Sequence, residues 1–400
     1  MTDEDLDFEL PQARLALLLE EFSRVDDERE PCRVMYPLSE VLLLVTCGTI
    51  CSCDDFDDIV FWGENHLGFL RRFSEFHFGI PGARWLRILF NRIDPALFAP
   101  CFEAWTASLW PDRHELIAID GKTARRTHDR RAGLKALHTL SAYASMAGLV
   151  LAQTSVPQKA NEITAIPDLL DQLAASGQLQ GATVTIDAMG CQVEIAQKIL
   201  DHQADYILPV KGNQPTLAHD VRSYFATAPD QETVSFATLE KGHGRIEKRI
   251  YTASNNIDWI CSARAYPGQP RFKGIKTIIK VEDQTELADK CTFDTRYYIA
   301  STPLDIQRLA KAIRGHWAVE SLHWSLDVTF NEDQSRYRAR HGAQNMAVIR
   351  RFAFNLIKQA HLKAGGAKSK SKATASLKSK RKVAGWSPDF LLQVLSVKPR

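Results

Sequence analysis

A chain of 400 residues with 45% hydrophobic content can bury a large core and should divide into two or three domains. No run of 18 or more apolar residues exists and residues 1–30 are acidic, which excludes a membrane-spanning helix and a secretory leader and predicts a cytoplasmic protein. Net charge is only +2, yet residues 1–100 carry −10 and the other 300 carry +12, so a basic partner-binding surface is expected after residue 100.

The eight cysteines are scattered through a long chain, which excludes a disulfide framework. Cys47, Cys51 and Cys53 lack a second pair or histidines at zinc spacing and read as buried thiols. Helices are predicted at Leu10–Arg24, at Ser39–Cys51 with Ser39 as cap, and at Asp54–Gly63, Phe69–Phe76, Ala83–Arg92 and Pro95–Ser108. Residues 1–110 therefore form a small all-α domain with no catalytic constellation of its own.

Strands begin at Glu115–Asp120, an apolar run closed by an acid and followed by the basic residues Lys122, Arg125 and Arg126. Leu137–Met146 and Leu149–Val156 read as a hairpin turning at Ala147-Gly148, and Asn161 caps a helix to Ala175 in which Pro167 forces a bend or an early break. Ala182–Asp187 again ends in an acid, Gly190–His202 is helical, and Ala204–Val210 is a buried strand. In a ribonuclease H-like sheet the first strand lies beside the fourth, so Asp120 and Asp187 would meet. The ordinary alternative is two turn-forming aspartates. Residues 111–232 are the first part of this core, and 233–302 a β-rich insertion. The insertion's basic edge holds Lys241, His243, Arg245, Lys248 and Arg249, and a second one lies at Lys211-Gly212-Asn213-Gln214.

Residues 303–362 complete the core with helices. If Leu309–Phe330 is one helix, His316, Glu320, His323 and Asp327 share a polar, metal-capable face, with Trp317 and Trp324 beside it. A solvated face with paired charges explains the same spacing. Asn345–His361 reads as an amphipathic helix, 363–385 as a flexible basic linker, and Trp386–Val397 as a last helix, within a C-terminal unit at 386–400.

The segments I-A-I-D-G-K-T-A-R (Ile117–Arg125), K-A-N-E-I-T-A-I-P-D-L-L (Lys159–Leu170), V-T-I-D-A-M-G-C-Q (Val184–Gln192) and L-P-V-K-G-N-Q-P-T-L (Leu208–Leu217) stand in one order with four more. Those four are E-K-G-H-G-R-I-E (Glu240–Glu247), T-R-Y-Y-I-A-S (Thr295–Ser301), I-R-G-H-W-A-V-E (Ile313–Glu320) and L-H-W-S-L-D-V-T-F-N-E-D (Leu322–Asp333). The chain thereby resembles, almost end to end, the DDE transposases of bacterial insertion sequences, in the branch that includes the H-repeat-associated proteins of Rhs elements. The fold implied is α/β, a ribonuclease H-like core with a β-rich insertion preceded by the all-α domain.

The resemblance implies that Asp120, Asp187 and Glu320 are the catalytic and metal-binding acids of a DNA transposase. Asp120 would bridge two Mg²⁺ ions (Mn²⁺ substituting) while Asp187 and Glu320 each hold one, for cleavage of element ends and their joining to target DNA. Double-stranded DNA, as terminal inverted repeats and target site, is the implied partner, and a homodimer the working form. Candidate DNA contacts are Lys122, Arg125, Arg126, Lys211, Asn213, His243, Arg245, Arg314, His316, Trp317 and His323. Only Ser321 separates Glu320 from Leu322, one residue fewer than the branch's spacing, which on a continuous helix turns His323 and Asp327 by about 100°. The competing readings are an inactive DNA-binding relic and a cellular nuclease on the same fold.

Overall fold

The computed structural model describes residues 15–109, 115–131, 133–157, 160–242, 244–261, 272–287, 289–364 and 374–396. At its centre lies β1 (Leu116–Ala124), whose residues Leu116, Ile117, Ala118 and Ile119 are all buried, as a strand covered on both faces requires. β1 pairs antiparallel with β2 (Leu137–Ala144), and β2 with β3 (Leu149–Ser155) across a turn where Gly148 takes φ 71°. On its other side β1 runs parallel to β4 (Thr183–Ile186), and β4 parallel to β5 (Asp205–Val210). Three antiparallel strands followed by two parallel ones, in the order β3-β2-β1-β4-β5, is a ribonuclease H-like sheet. β1 does not stop at Asp120 as expected: Gly121, Lys122, Thr123 and Ala124 go on pairing with Leu140, Thr139, His138 and Leu137.

The β-rich segment belongs to the same sheet. β6 (Val234–Gly242), β7 (Arg245–Ser254), β8 (Thr277–Glu286) and β9 (Cys291–Ala300) extend it to nine strands, with β9 antiparallel to β5.

One face carries α7 (Glu162–Ala175), α8 (Val193–Asp201) and α9 (Pro215–Thr227) over Ile117, Ile119, Val184 and Ile186. Asn161 caps α7, accepting the Thr164 N–H at 3.2 Å. Pro167 does not end α7, because the buried side chains Ala165, Ile166, Leu169, Leu170 and Leu173 hold both sides of it to the sheet.

The opposite face carries α11 (Ile306–His316), α12 (Ala318–Trp324), a π-helical turn at Ser325–Thr329, and α13 (Gly342–Gln359). The expected single helix over Leu309–Phe330 is therefore broken at Trp317, whose N–H reaches back three residues to the Arg314 carbonyl at 3.3 Å. Gly315 lets this corner approach the sheet, since a Cβ there would lie 2.5 Å from Leu116 Cδ2. A short α10 (Asp258–Cys261) precedes β8.

The N-terminal helices are residues 15–23, α2 (Leu38–Ile50), α3 (Phe56–Asn65), α4 (Leu67–Leu70), α5 (Ala83–Phe90) and α6 (Pro95–Leu109), the first of these being α1. Ser39 does not cap α2, which starts one residue earlier after Pro37. The expected helix at Phe69–Phe76 ends at Leu70, because the buried Glu40 accepts the Ser74 hydroxyl at 2.9 Å and the Phe76 N–H at 2.6 Å and so fixes a turn.

These helices do not close a core by themselves. Phe22, Phe98, Phe102 and Trp105 surround Phe352 of α13 with ring centroids 4.9–6.1 Å away, each burial contributing about 1.5–3 kcal/mol. α13 is buried nearly all round rather than amphipathic, and its Asn355 amide satisfies both the N–H and the carbonyl of Val150 on the edge strand β3, at 2.8 and 2.9 Å.

Two C-terminal helices complete the same cluster, α14 (Leu377–Trp386) and α15 (Pro388–Leu395). α14 replaces the end of the expected flexible linker. Its Arg381 is buried over the Phe330 ring at 4.2 Å, donates to the Thr49 carbonyl at 2.7 Å and pairs with Asp54 at 3.1 Å. Among the described residues no helix is long and apolar enough to cross a membrane.

Candidate active site

The pairing of Ile119 with Ile186 puts Asp120 and Asp187 next in line on neighbouring parallel strands, whose backbones run roughly 4.8 Å apart. Alternation then turns both carboxylates away from the α7 face, toward α11 and α12. Asp187 Oδ1 accepts the Gly190 N–H at 3.0 Å, which folds 187–190 into a turn and delays α8 to Val193. Asp120 Oδ1 accepts the Gly121 N–H at 2.8 Å. Burial pushes the Asp120 carboxyl up to about 6; the Gly121 N–H opposes this, and the charges of Glu162, Asp187 and Glu320 add to it. Glu320 lies exposed in the first turn of α12. The three acids expected from sequence thus stand at one end of β1 and β4, close enough for Asp120 to feel both others. Among the described residues, no three His, Cys, Asp or Glu side chains are drawn together tightly enough to hold a metal ion.

Two histidines flank this mouth, both neutral at pH 7. His323 Nδ1 is 3.6 Å from Asp120 Oδ2, and burial, together with Arg351 and Lys122, pushes its imidazole down to about 4. His316 shares a hydrogen bond of 2.9 Å with the Thr185 hydroxyl on β4, and burial alone pushes it to about 4. His316 is therefore packed beneath Asp187 rather than presented to a phosphate.

Lys122 is also no free phosphate contact. Its side chain is 5% exposed, and its ammonium lies 2.5 Å from Asp327, 3.0 Å from Glu332 and 3.7 Å from Asp333. Glu332 is shared with the buried Arg351. Burial works to raise the Glu332 carboxyl, yet Arg351 and Lys122 hold it at about 2. This ion network locks β1 to the segment that follows the π-helical turn.

The other candidates are dispersed. Arg125 is exposed and pairs with Asp333 at 3.3 Å; Arg126 is exposed, its carbonyl accepting from Arg338 at 3.1 Å. Lys211 is exposed. Asn213 is turned inward, its amide donating to the Ala188 and Cys191 carbonyls, which secures the turn after Asp187. Arg245 pairs with Glu247 at 2.5 Å and Arg314 with Glu240 at 3.1 Å, both on the β-ribbon side. The Trp317 ring is 37% exposed, with the Arg296 guanidinium 4.9 Å from its centroid. His243 lies outside the described residues.

A cleft of about 450 Å³ opens beside the mouth, lined by His138, Glu162, Met189, Lys135, Arg338 and Arg340 among others. The sequence reading gave none of these six a role. Glu162 sits in the K-A-N-E segment and Glu332 and Asp333 in the F-N-E-D segment, so motif membership was the available signal. Arg338 and Arg340 fell in a stretch noted only as basic.

The transposase DDE domain model matches residues 111–356, and a second model, described as DDE_Tnp_1-associated, matches residues 19–106. "Putative transposase YncI" of Escherichia coli O157:H7 is 37% identical over 365 residues, covering 90% of this chain and 91% of that one. "H repeat-associated putative transposase YhhI" of Escherichia coli (strain K12) is 36% identical over 351 residues, covering 86% and 90%. A solved piggyBac transposase synaptic complex with hairpin DNA superposes with a TM-score of 0.45 at 11% identity, over 95% of this chain and 80% of that one.

Proposed function

Because this chain belongs to the transposase DDE domain family, we propose that its transposase activity cuts DNA at the ends of a mobile element and joins them to target DNA at Asp120, Asp187 and Glu320. The observation that carries this reading is the register of β1 and β4, which sets two acids side by side at one sheet end with the α12 acid across from them. The donor set fits a hard divalent cation, being all carboxylate oxygen and carrying negative charge that no cationic side chain at the mouth neutralises among the described residues. Mg²⁺ or Mn²⁺ held by these three acids would supply Lewis acidity to the attacking and leaving oxygens of an in-line displacement at phosphorus.

The chain's own contribution is positioning. Asp120 is fixed on the central strand and Asp187 by its turn, whereas Glu320 is on the exposed side of a two-turn helix and is free to swing in. Neutral His323 crowds Asp120 without competing for the cation as a charge. Arg338 and Arg340 in the cleft, with exposed Arg125 and Lys211, hold strand phosphates. Two element ends acting together call for a homodimer.

The test is cleavage of duplex DNA carrying the element's terminal repeats, with Mg²⁺, by the wild type and by Asp187→Ala. Strand nicking that leaves a 3′-hydroxyl is expected from the wild type and a loss of at least about a hundredfold from the variant. Equal cleavage by both would remove Asp187 from the site.

A further inference from the structure

Glu162 is the first residue of α7, on the opposite side of β1 from the π-helical turn, yet it reaches the same mouth. Its Oε1 is 2.7 Å from His138 Nε2, and His138 Nδ1 is 2.7 Å from the Thr123 hydroxyl. The carboxylate lies directly against the backbone beside Asp120: a Cβ on Gly121 would be 2.1 Å from Glu162 Oε1 and 2.8 Å from His138 Nε2. Glycine at 121 is what makes room for it. Glu162 and His138 also line the cleft that Met189, two residues past Asp187, borders from the other side. A carboxylate so placed touches both the acids and the space through which a strand would arrive.

An acid in the first turn of a helix has an ordinary structural use, since it favours the helix dipole. That use needs neither the His138–Thr123 relay nor a missing side chain on the neighbouring strand. We propose that Glu162 is a fourth oxygen ligand of the divalent-cation site, with His138 and Thr123 as positioning residues that fix its rotamer. His138 engages Oε1, which leaves Oε2 for the cation. Four carboxylates also match the charge of two divalent ions, which three do not. The inference rests on the reading of Asp120, Asp187 and Glu320 as the cation site, and goes beyond it in the ligand count.

The test is calorimetric titration of the full chain with Mn²⁺ alone, for the wild type, Asp187→Asn, Glu162→Gln, Glu162→Asp and His138→Gln, each checked for folding by circular dichroism. Glu162→Gln is expected to weaken Mn²⁺ binding at least about tenfold and His138→Gln by a smaller factor, as loss of a ligand and of its orienting partner do. Glu162→Asp keeps the charge at the helix start and serves if the glutamine variant misfolds; its shorter reach should weaken binding too. If Asp187→Asn loses Mn²⁺ while both Glu162 variants bind like wild type, the fourth ligand is refuted and the three-acid site stands. If the wild type binds no Mn²⁺, both readings fall.

Discussion

Replacing Lys122 with methionine separates a structural lysine from a DNA-contacting one. Glu332 ionises at about 2 in the folded chain against an ordinary value of 4.5, so its ion pairs stabilise the fold at neutral pH by about 3 kcal/mol. Arg351 and Lys122 share that effect, but Lys122 also neutralises Asp327 and Asp333, and methionine would leave three acids around an apolar tip. Lys122→Met is therefore expected to cost about 3 kcal/mol, the lower end for breaking a buried ion pair. Urea unfolding at pH 7, followed by tryptophan fluorescence and circular dichroism, measures it. The sign with pH follows from the depressed carboxyl: its contribution is complete above 4.5 and disappears as pH falls through about 2, so wild type and variant should converge across that window. A Lys122→Met chain within about 0.5 kcal/mol of wild type at pH 7, with DNA affinity reduced, would refute the argument and restore Lys122 as a phosphate contact.

Gly121→Ala drives a methyl into Glu162 and His138, and should leave the fold intact by circular dichroism while lowering end cleavage about a hundredfold. Arg338→Ala and Arg340→Ala are each expected to weaken duplex binding and to reduce its salt slope by about 1, measured by fluorescence anisotropy over a salt series. His316→Phe should lose about 1 kcal/mol with the Thr185 bond. It should also flatten the acid side of the stability profile: His316 is held at about 4 against an ordinary 6.5, so wild-type stability falls as pH drops from 6.5 toward 4, and melts at several pH values would show the difference.

The sheet was legible because its strands are short apolar runs bounded by turn residues, and Val184–Ile186 and Leu116–Ile119 have no alternative to burial on both faces. Motif order carried the acids. What stayed hidden was the sign of each basic residue's surroundings. Lys122 and Arg351 read as surface cations until the fold brings Asp327 and Glu332 to them across distances in sequence that no local pattern encodes. His316 and Glu320 share a helical spacing, but the corner at Trp317 buries the first and exposes the second. α9 begins at Pro215 inside a motif quoted for its basic residues, and its few buried side chains, Ala218 and Val221, give it little periodicity to read. The end of the basic linker became a helix because Arg381 had an acid and an aromatic ring waiting near the other end of the chain.

Val319 and Leu322, the inward side of the helix that bears Glu320, belong to a cluster closed by Phe390, Leu391, Val394 and Leu395. Ribosomes make those last four residues after everything else. A nascent or prematurely terminated polypeptide would hold its two aspartates on a sheet but would lack the floor under the glutamate. Quality control over an agent that severs genomes is in that sense written into the order of synthesis, because an incomplete copy lacks a seat for its third acid.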